Sequence, residues 1–409
     1  MGNKSTRDSV HSDRTDSVLP SRRNHSQKIT SNPNNSLRSF LRVESQQCTH
    51  SASRPWSRIS RRRWKESTLT LPYQSCKTAW PVTQRESLFL PAFPVENHHK
   101  NPNYEKLPEI SRGAFGKIYR ILDLEKNEIF ALKVLSKSKV IENGLIDQVT
   151  QEVQIQRACG HHPFIAKCPA NWQSPKHLHI ATEYIEGGEL WELLDHIGAL
   201  PVEVVQLYVA QIALAIDFLH NAGVIYRDLK PENILLDADA NVRVIDFGLS
   251  KWLPLGRTTR TVCGTPKYMA PEILQMQPYG HSVDWWSLGV IACLMLTCKK
   301  VALDLHPREA TPSKVILPEG VFLGISSKDL LLRLLEVQPQ KRLHSVRALG
   351  TVAFFKGYDI EEVGGKKCKA KTLLVKHYGA DYQRRKDKIS SFEDFDEVLI
   401  DDVPAEERC

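Results

Sequence analysis

YRDLKPENILLDADANVRVIDFG, from Tyr226 to Gly248, is the stretch whose reading decides the fold. It carries a carboxylate (Asp228), an ammonium (Lys230), an amide (Asn233) and a second carboxylate (Asp246). All four fall on short loops flanking a predicted hairpin, Ile234 to Leu236 and Val242 to Ile245. These are the group types that phosphoryl transfer uses: a base for a hydroxyl proton, a cation for the moving phosphate, and hard oxygens for a magnesium ion.

Composition bounds the rest. A chain of 409 residues has room for two or three domains, and its 41% hydrophobic and 25% charged content is that of a globular protein. The longest apolar run, Val290 to Leu296, is far short of the roughly 20 residues that span a bilayer. Nine cysteines occur with no C-x-x-C pair, which suits free thiols and a cytoplasmic setting better than a disulfide framework or zinc site. The net charge of +8 is uneven, since residues 1–100 hold 17 Lys and Arg against 7 Asp and Glu. The positive excess therefore belongs to the N-terminal stretch.

With its context, the Tyr226–Gly248 stretch resembles the catalytic and metal-binding loops of eukaryotic protein kinases. Tyr226 in place of the commoner His, followed by Arg-Asp-Leu-Lys-Pro-Glu-Asn, resembles the AGC group of serine/threonine kinases, on weaker grounds its ribosomal-protein S6 kinase-related branch. The resemblance implies an α+β, two-lobed fold over about 104–355: a small β-rich lobe with one helix, then a larger helical lobe. It implies ATP and Mg²⁺ as reactants and a protein Ser or Thr as acceptor. Asp228 and Lys230 would be catalytic, and Asn233 and Asp246 would hold the metal.

Upstream, Tyr104 to Leu135 reads as three antiparallel strands broken by a glycine turn and by Glu125-Lys126-Asn127. Ser111-Arg112-Gly113-Ala114-Phe115-Gly116 resembles the glycine-rich loop of kinases, with Ser111 replacing the first glycine. Phe130-Ala-Leu-Lys133 resembles the strand whose lysine holds the α and β phosphates. Glu152, nineteen residues on in a segment of helical spacing (Ile146, Val149, Val153, Ile155), resembles its partner glutamate. His177 to Ile185 reads as a buried strand entering a hinge at Glu186-Gly187-Gly188. The implied nucleotide site comprises Ile110, Ser111, Gly113, Ala114, Phe115, Gly116 and Ile118; Ala131, Lys133 and Glu152; and Thr182 as gatekeeper with Glu183, Ile185 and Glu189. Ser111 is expected to weaken or slow nucleotide binding without abolishing it.

Downstream, Val204, Tyr208, Ile212, Ala215 and Leu219 recur at helical spacing, so Pro201 to His220 is predicted helical and opens at a proline. The segment ending Thr261-Val-Cys-Gly-Thr265-Pro resembles the AGC activation segment. Thr261 would be phosphorylated by an upstream kinase, its phosphate received by Arg227, and Thr265 would favour Ser or Thr acceptors. Glu189 and Glu232 would receive an arginine upstream of the target. Asp284-Trp285-Trp286 resembles the start of the central buried helix, and Glu272 with Arg342 an internal ion pair. Between Leu296 and Leu317 the chain departs from the AGC pattern.

Both ends read as tails. Residues 1–100, rich in Ser, Arg, Asn and Pro, are expected to be mostly disordered. Met1-Gly2-Asn3-Lys4-Ser5-Thr6 fits N-myristoylation at Gly2, and Arg61 to Lys65 could add the second signal that membrane association needs. That basic cluster also fits nuclear import or nucleic acid, or plain solvation; nucleic acid is not the favoured partner. Residues 356–409 are expected to wrap over the small lobe and seat Phe392 and Phe395 beside its helix, as AGC tails do. The rival to an active enzyme is a pseudokinase scaffold, favoured by Ser111 and the altered 296–317 segment and opposed by the intact Lys133, Glu152, Asp228, Asn233 and Asp246.

Overall fold

The computed structural model describes residues 84–95, 104–113, 116–299, 301–304, 314–366, 368–379 and 382, all in one unit of the chain, Pro72–Cys409. Gly2, Arg61 to Lys65, Ala114, Phe115, residues 305–313, Phe392 and Phe395 lie outside the described residues.

A one-turn helix, α1 (Gln84–Ser87), comes first. Strands β1 (Tyr104–Arg112), β2 (Gly116–Asp123) and β3 (Glu128–Ser136) follow, then helices α2 (Lys137–Glu142) and α3 (Ile146–Cys159). Strands β4 (Ala170–Gln173) and β5 (His177–Glu183) complete an antiparallel sheet of order β1-β2-β3-β5-β4. β5 stops two residues short of the predicted end because the chain turns at Ile185 into the glycine hinge.

At that hinge, Gly187 N–H donates to Leu236 O at 2.9 Å, and Leu236 N–H donates back to Gly188 O at 2.9 Å. A Cβ on Gly187 would stand 2.2 Å from Leu236 O, so only glycine permits the approach. Gly187→Ala is expected to lower stability by about 1–3 kcal/mol, read as a shift of the denaturation midpoint.

The helical lobe begins with α4 (Leu190–Ile197) and α5 (Val202–Asn221), the latter with Pro201 as its N-cap residue. By length and hydropathy α5, unlike Val290–Leu296, could cross a membrane. Here it is the core helix, with Val204, Tyr208, Ile212 and Ala215 fully buried. Short strands β6 (Val224–Ile225), β7 (Ile234–Leu236), β8 (Val242–Val244) and β9 (Lys251–Trp252) carry the loops between them. The β7–β8 hairpin lies where it was predicted, one residue shorter.

Next come α6 (Pro271–Leu274) and α7 (Ser282–Thr297). Every residue of α7 after Ser282 is buried, which is how a helix apolar on all sides must sit. The departing segment contains a two-stranded hairpin, β10 (Ala302–Asp304) with β11 (Lys314–Ile316). The lobe closes with α8 (Ile325–Leu334) and α9 (Val346–Leu349).

The expected N-terminal tail needs correction at its end, while the docking of Phe392 and Phe395 falls outside the described residues. Residues 84–95 are not structureless: Phe89 and Phe93 are buried in the small-lobe core. Past 355, α10 (Ile360–Val363) and α11 (Ala370–Tyr378) pack on α5. Ala370 and Leu374 are fully buried there, Lys366 Nζ pairs with Asp237 Oδ2 at 2.9 Å, and Tyr378 Oη donates to Ala199 O at 2.9 Å. This stretch therefore extends the helical lobe and does not lie over the small one, because its apolar positions find their partners on α5.

Candidate active site

Lys133 enters the cleft from β3, whose register with β5 sets it opposite Ile180. Its Nζ lies 2.7 Å from Glu152 Oε1 and 3.5 Å from Asp246 Oδ1. Three residues spread over 113 positions of chain thus meet at one ammonium. Burial works against the charge on Lys133, but Glu152 and Asp246 outweigh it and hold the lysine above its usual range. Lys133 in turn keeps the Asp246 carboxyl below the usual carboxylate range. Burial pushes the Glu152 carboxyl up, with Lys133 opposing.

Asp228 sits at the centre of a second network. Its Oδ1 accepts from Thr265 Oγ1 at 2.8 Å, and its Oδ2 accepts from Asn233 Nδ2 at 3.0 Å and pairs with Lys230 Nζ at 3.2 Å. Lys230 Nζ also donates to Thr265 Oγ1 at 3.2 Å. With its Nδ2 donating as well to Asp228 O at 2.9 Å, the Asn233 amide is fixed and its oxygen is turned away from Asp228. Asn233 N–H donates to Lys230 O, and Ile245 N–H to Asn233 O, each at 3.0 Å, so the loop before β7 is tied to the loop after β8.

Both loops have strained backbones. Arg227 has φ of 72° and Asp246 φ of 51°, a left-handed conformation that persists at non-glycine residues only when surroundings over-determine it. Here they do. Asp284, fully buried on α7, accepts from Tyr226 N–H at 2.9 Å and Arg227 N–H at 2.8 Å. Asp246 Oδ1 accepts from Gly248 N–H at 3.1 Å, Tyr226 Oη donates to Ile245 O, and Phe247 is buried edge-on against Tyr226, ring centroids 5.4 Å apart.

One participant was missed from sequence. Trp285 Nε1 donates to His220 Nδ1 at 3.3 Å, which places the imidazole proton on Nε2, and that nitrogen lies 2.8 Å from Asp284 Oδ2. His220 thereby orients the aspartate that holds the catalytic-loop backbone. A lone His ending an apolar helix gave no signal, because its partners lie more than sixty residues downstream.

The remaining nucleotide-site expectations distribute as follows. Ile110 and Ser111 lie in β1 and Ile118 in β2, with Ser111 opposite Ile118. Ser111 has an ordinary strand backbone, so no glycine is required at that position. Gly116 is different, since a Cβ there would stand 2.1 Å from Val134 O. Nothing lies within 4 Å of a Cβ on Gly113. Ala131 pairs with Thr182 across β3 and β5, and Thr182 Oγ1 donates to Ala131 O at 3.4 Å. Glu183 ends β5 opposite Phe130, and its N–H donates to Lys167 O at 2.9 Å. Ile185 is half-buried at the hinge.

Glu189 precedes α4, where its N–H donates to Glu192 Oε2 at 3.0 Å. Burial, then Glu192 and Glu232, push its carboxyl up to about 7, with Lys230 opposing. Glu232 Oε2 is buried and has no hydrogen-bond partner. Farther along, Thr261 is exposed, and its carbonyl accepts from Tyr279 Oη at 2.5 Å. Arg227 Nε donates to Leu249 O at 2.6 Å, while its Nη1 is buried without a hydrogen-bond partner.

Among the described residues no group of three or more His, Cys, Asp or Glu gathers as a metal site. Asn233 and Asp246 fit magnesium by donor chemistry: one fixed amide oxygen and one carboxylate kept charged, the sparse protein set this ion takes when phosphates complete its shell.

A lysine shared between two carboxylates, with an aspartate on a second loop tied to lysine, asparagine and threonine, defines a phosphotransferase cleft of the kinase type. The family model for the protein kinase domain matches residues 104–354, and the chain belongs to the protein kinase family. It is similar to the ribosomal protein S6 kinase-related protein of Homo sapiens, 36% identical over 270 residues, covering 66% of this chain and 65% of that one. It is also similar to the RAC family serine/threonine-protein kinase homolog of Dictyostelium discoideum, 35% identical over 268 residues, covering 64% and 60%. The cAMP-dependent protein kinase catalytic subunit of the same organism is 34% identical over 270 residues, covering 65% and 41%. The chain thus spans under two thirds of the length of these relatives. They agree with the AGC resemblance read from the motifs.

Proposed function

We propose that the protein transfers the γ-phosphoryl group of ATP to Ser or Thr hydroxyls of proteins. The observation that carries this reading is Lys133 held between Glu152 and Asp246, a cation fixed where phosphate charge must be met. Asp228, pinned by Asn233 and Thr265, takes the hydroxyl proton, and Lys230 beside it screens the charge that develops. Thr265, bonded to both, positions them. Magnesium, when bound, neutralises charge on the phosphate oxygens, and Asn233 and Asp246 would hold it. The test is phosphate incorporation into Ser, Thr and Tyr peptide libraries by the purified full chain with Mg-ATP. Transfer to Ser and Thr supports the reading, and nucleotide binding without transfer favours the scaffold.

Arginine upstream of the acceptor is the preferred substrate feature. Glu232 Oε2 is buried without a partner, and Glu189 beside it is partly neutralised by its burial and then by its acidic neighbours. A guanidinium would relieve both at once. Because Glu189 titrates near 7, it loses charge as pH falls, so KM for an arginine-containing peptide should rise between about pH 8 and about pH 6. KM for a peptide with alanine at that position should not follow. Steady-state kinetics across that range checks it.

Thr261 is the proposed site of activating phosphorylation by an upstream kinase. It is exposed, and Arg227 carries a buried, unpartnered Nη1 on the catalytic loop, so a phosphate would satisfy the guanidinium and order the segment. Thr261→Ala is expected to lower kcat roughly tenfold relative to the phosphorylated chain, measured after treatment with an activating kinase.

A further inference from the structure

Residues 84–95, upstream of the matched kinase domain, are built into the small lobe. Phe89 and Phe93 are buried, their rings edge to face with centroids 6.4 Å apart. The groove they fill is lined by Val140 of α2, Val149 and Val153 of α3, and Leu178 and Ile180 of β5. Polar bonds hold the segment alongside the apolar contacts. Gln173 Nε2 donates to Phe93 O at 2.6 Å and to Glu86 O at 3.1 Å. Gln173 N–H donates to Pro94 O at 2.9 Å, and Asn171 Nδ2 donates to Ala92 O at 2.5 Å. Lys137, wholly buried, donates to Gln173 Oε1 at 2.5 Å and lies 5.6 Å from the Phe89 ring centroid. The edge residues of β4 thus use side-chain amides to read the backbone of this one segment.

What the segment grips is the helix that carries Glu152. Val149 and Val153 lie on the side of α3 turned toward Phe89 and Phe93, while Ile155 and Cys159 belong to the helical-lobe core. Glu152, between those anchors, is only 4% exposed and its burial disfavours its charge, so its place beside Lys133 depends on α3 being held from both sides. Remove the two rings and one side of the helix faces an unfilled groove.

We propose that residues 84–95 are a positioning element of the phosphotransfer site: Phe89 and Phe93, seated between α2, α3 and β4, hold Glu152 on Lys133. The working catalytic unit then begins near residue 84 and not at 104. This deepens the kinase reading and rests on it for its effect on turnover, though not for its effect on α3.

The experiment uses the full chain, wild type against Phe89→Ala/Phe93→Ala, with Phe93→Leu as a conservative variant. Hydrogen exchange is followed over 146–159 and, as a folding control, over 282–297; kcat and KM are measured with and without a synthetic peptide of residues 84–95. In the double variant, exchange over 146–159 should quicken with 282–297 unchanged. Its kcat should fall about tenfold, with Phe93→Leu intermediate and saturating peptide restoring activity. Wild-type kcat in the double variant, unchanged exchange over 146–159, or loss of activity that the peptide leaves untouched would each overturn the proposal. A wild-type chain that transfers no phosphate overturns the kinase reading instead, and the exchange measurement still decides the brace.

Discussion

Replacing Asp228 by Asn is expected to lower kcat by about 10²–10⁴-fold, the range for loss of a general base. Nucleotide binding and stability should stay near wild type. The amide is isosteric with the carboxylate, and the site can keep most of its bonds. The Asn oxygen can stay toward Asn233 Nδ2 and Lys230 Nζ, and the new NH₂ can donate to Thr265 Oγ1, which now donates to Asp228. What disappears is the ability to take a proton. Single-turnover phosphate transfer, with the ATP-dependent thermal shift measured on the same protein, separates the two effects. A variant with near-normal kcat would mean that another group accepts the proton, and a variant that no longer binds ATP would mean that Asp228 is structural.

The second large effect concerns stability. Arg342 is 1% exposed and Glu272 3%. The two form a bidentate pair, Nη1 to Oε1 at 2.7 Å and Nη2 to Oε2 at 3.0 Å. Arg342 also donates to Glu336 O at 2.9 Å and Ser282 O at 3.1 Å, and its guanidinium lies 5.1 Å from the Trp286 ring centroid. It therefore joins the loop before α9 to the first residue of α7 and to α6. Arg342→Leu strands the Glu272 carboxylate in an apolar interior and leaves three carbonyls, those of Ser282, Glu336 and Val337, without this donor. The expected loss is about 3–5 kcal/mol, a fall in Tm of roughly 6–20 °C. Adding Glu272→Met should recover a large part, because the penalty comes chiefly from the unpaired charge. Calorimetry on the two variants checks both statements, and equal destabilisation of single and double variants would count against the mechanism.

Much of the site was legible in the chain. Asp228, Lys230, Asn233 and Asp246 lie within nineteen positions of one another, and the β7–β8 hairpin between them brings them together by local pairing alone. Lys133 and Glu152 were visible through their resemblance to the strand lysine and partner glutamate of kinases, with helical spacing around Glu152 in support. The replacement of the first loop glycine by Ser111 could be read from the chain, but that β1 continues through Ser111 in extended conformation and that Gly116 is pressed against another backbone could not. The N-terminal segment was misread for a compositional reason. Averaged over a hundred residues rich in Ser and Arg, the pair Phe89-x-x-x-Phe93 vanishes, although its four-residue spacing is that of one helical face.

The order of residues alone determined which groups the reaction could use and which short loops carry them, because those loops are closed by near neighbours. Only the tertiary structure decided what holds the groups in register: Asp284 and His220 under the catalytic loop, Phe89 and Phe93 behind α3, and α11 on α5 and not on the small lobe. Such contacts join segments tens to hundreds of residues apart. They depend on which buried surfaces are complementary once the chain has collapsed, and no local pattern records that.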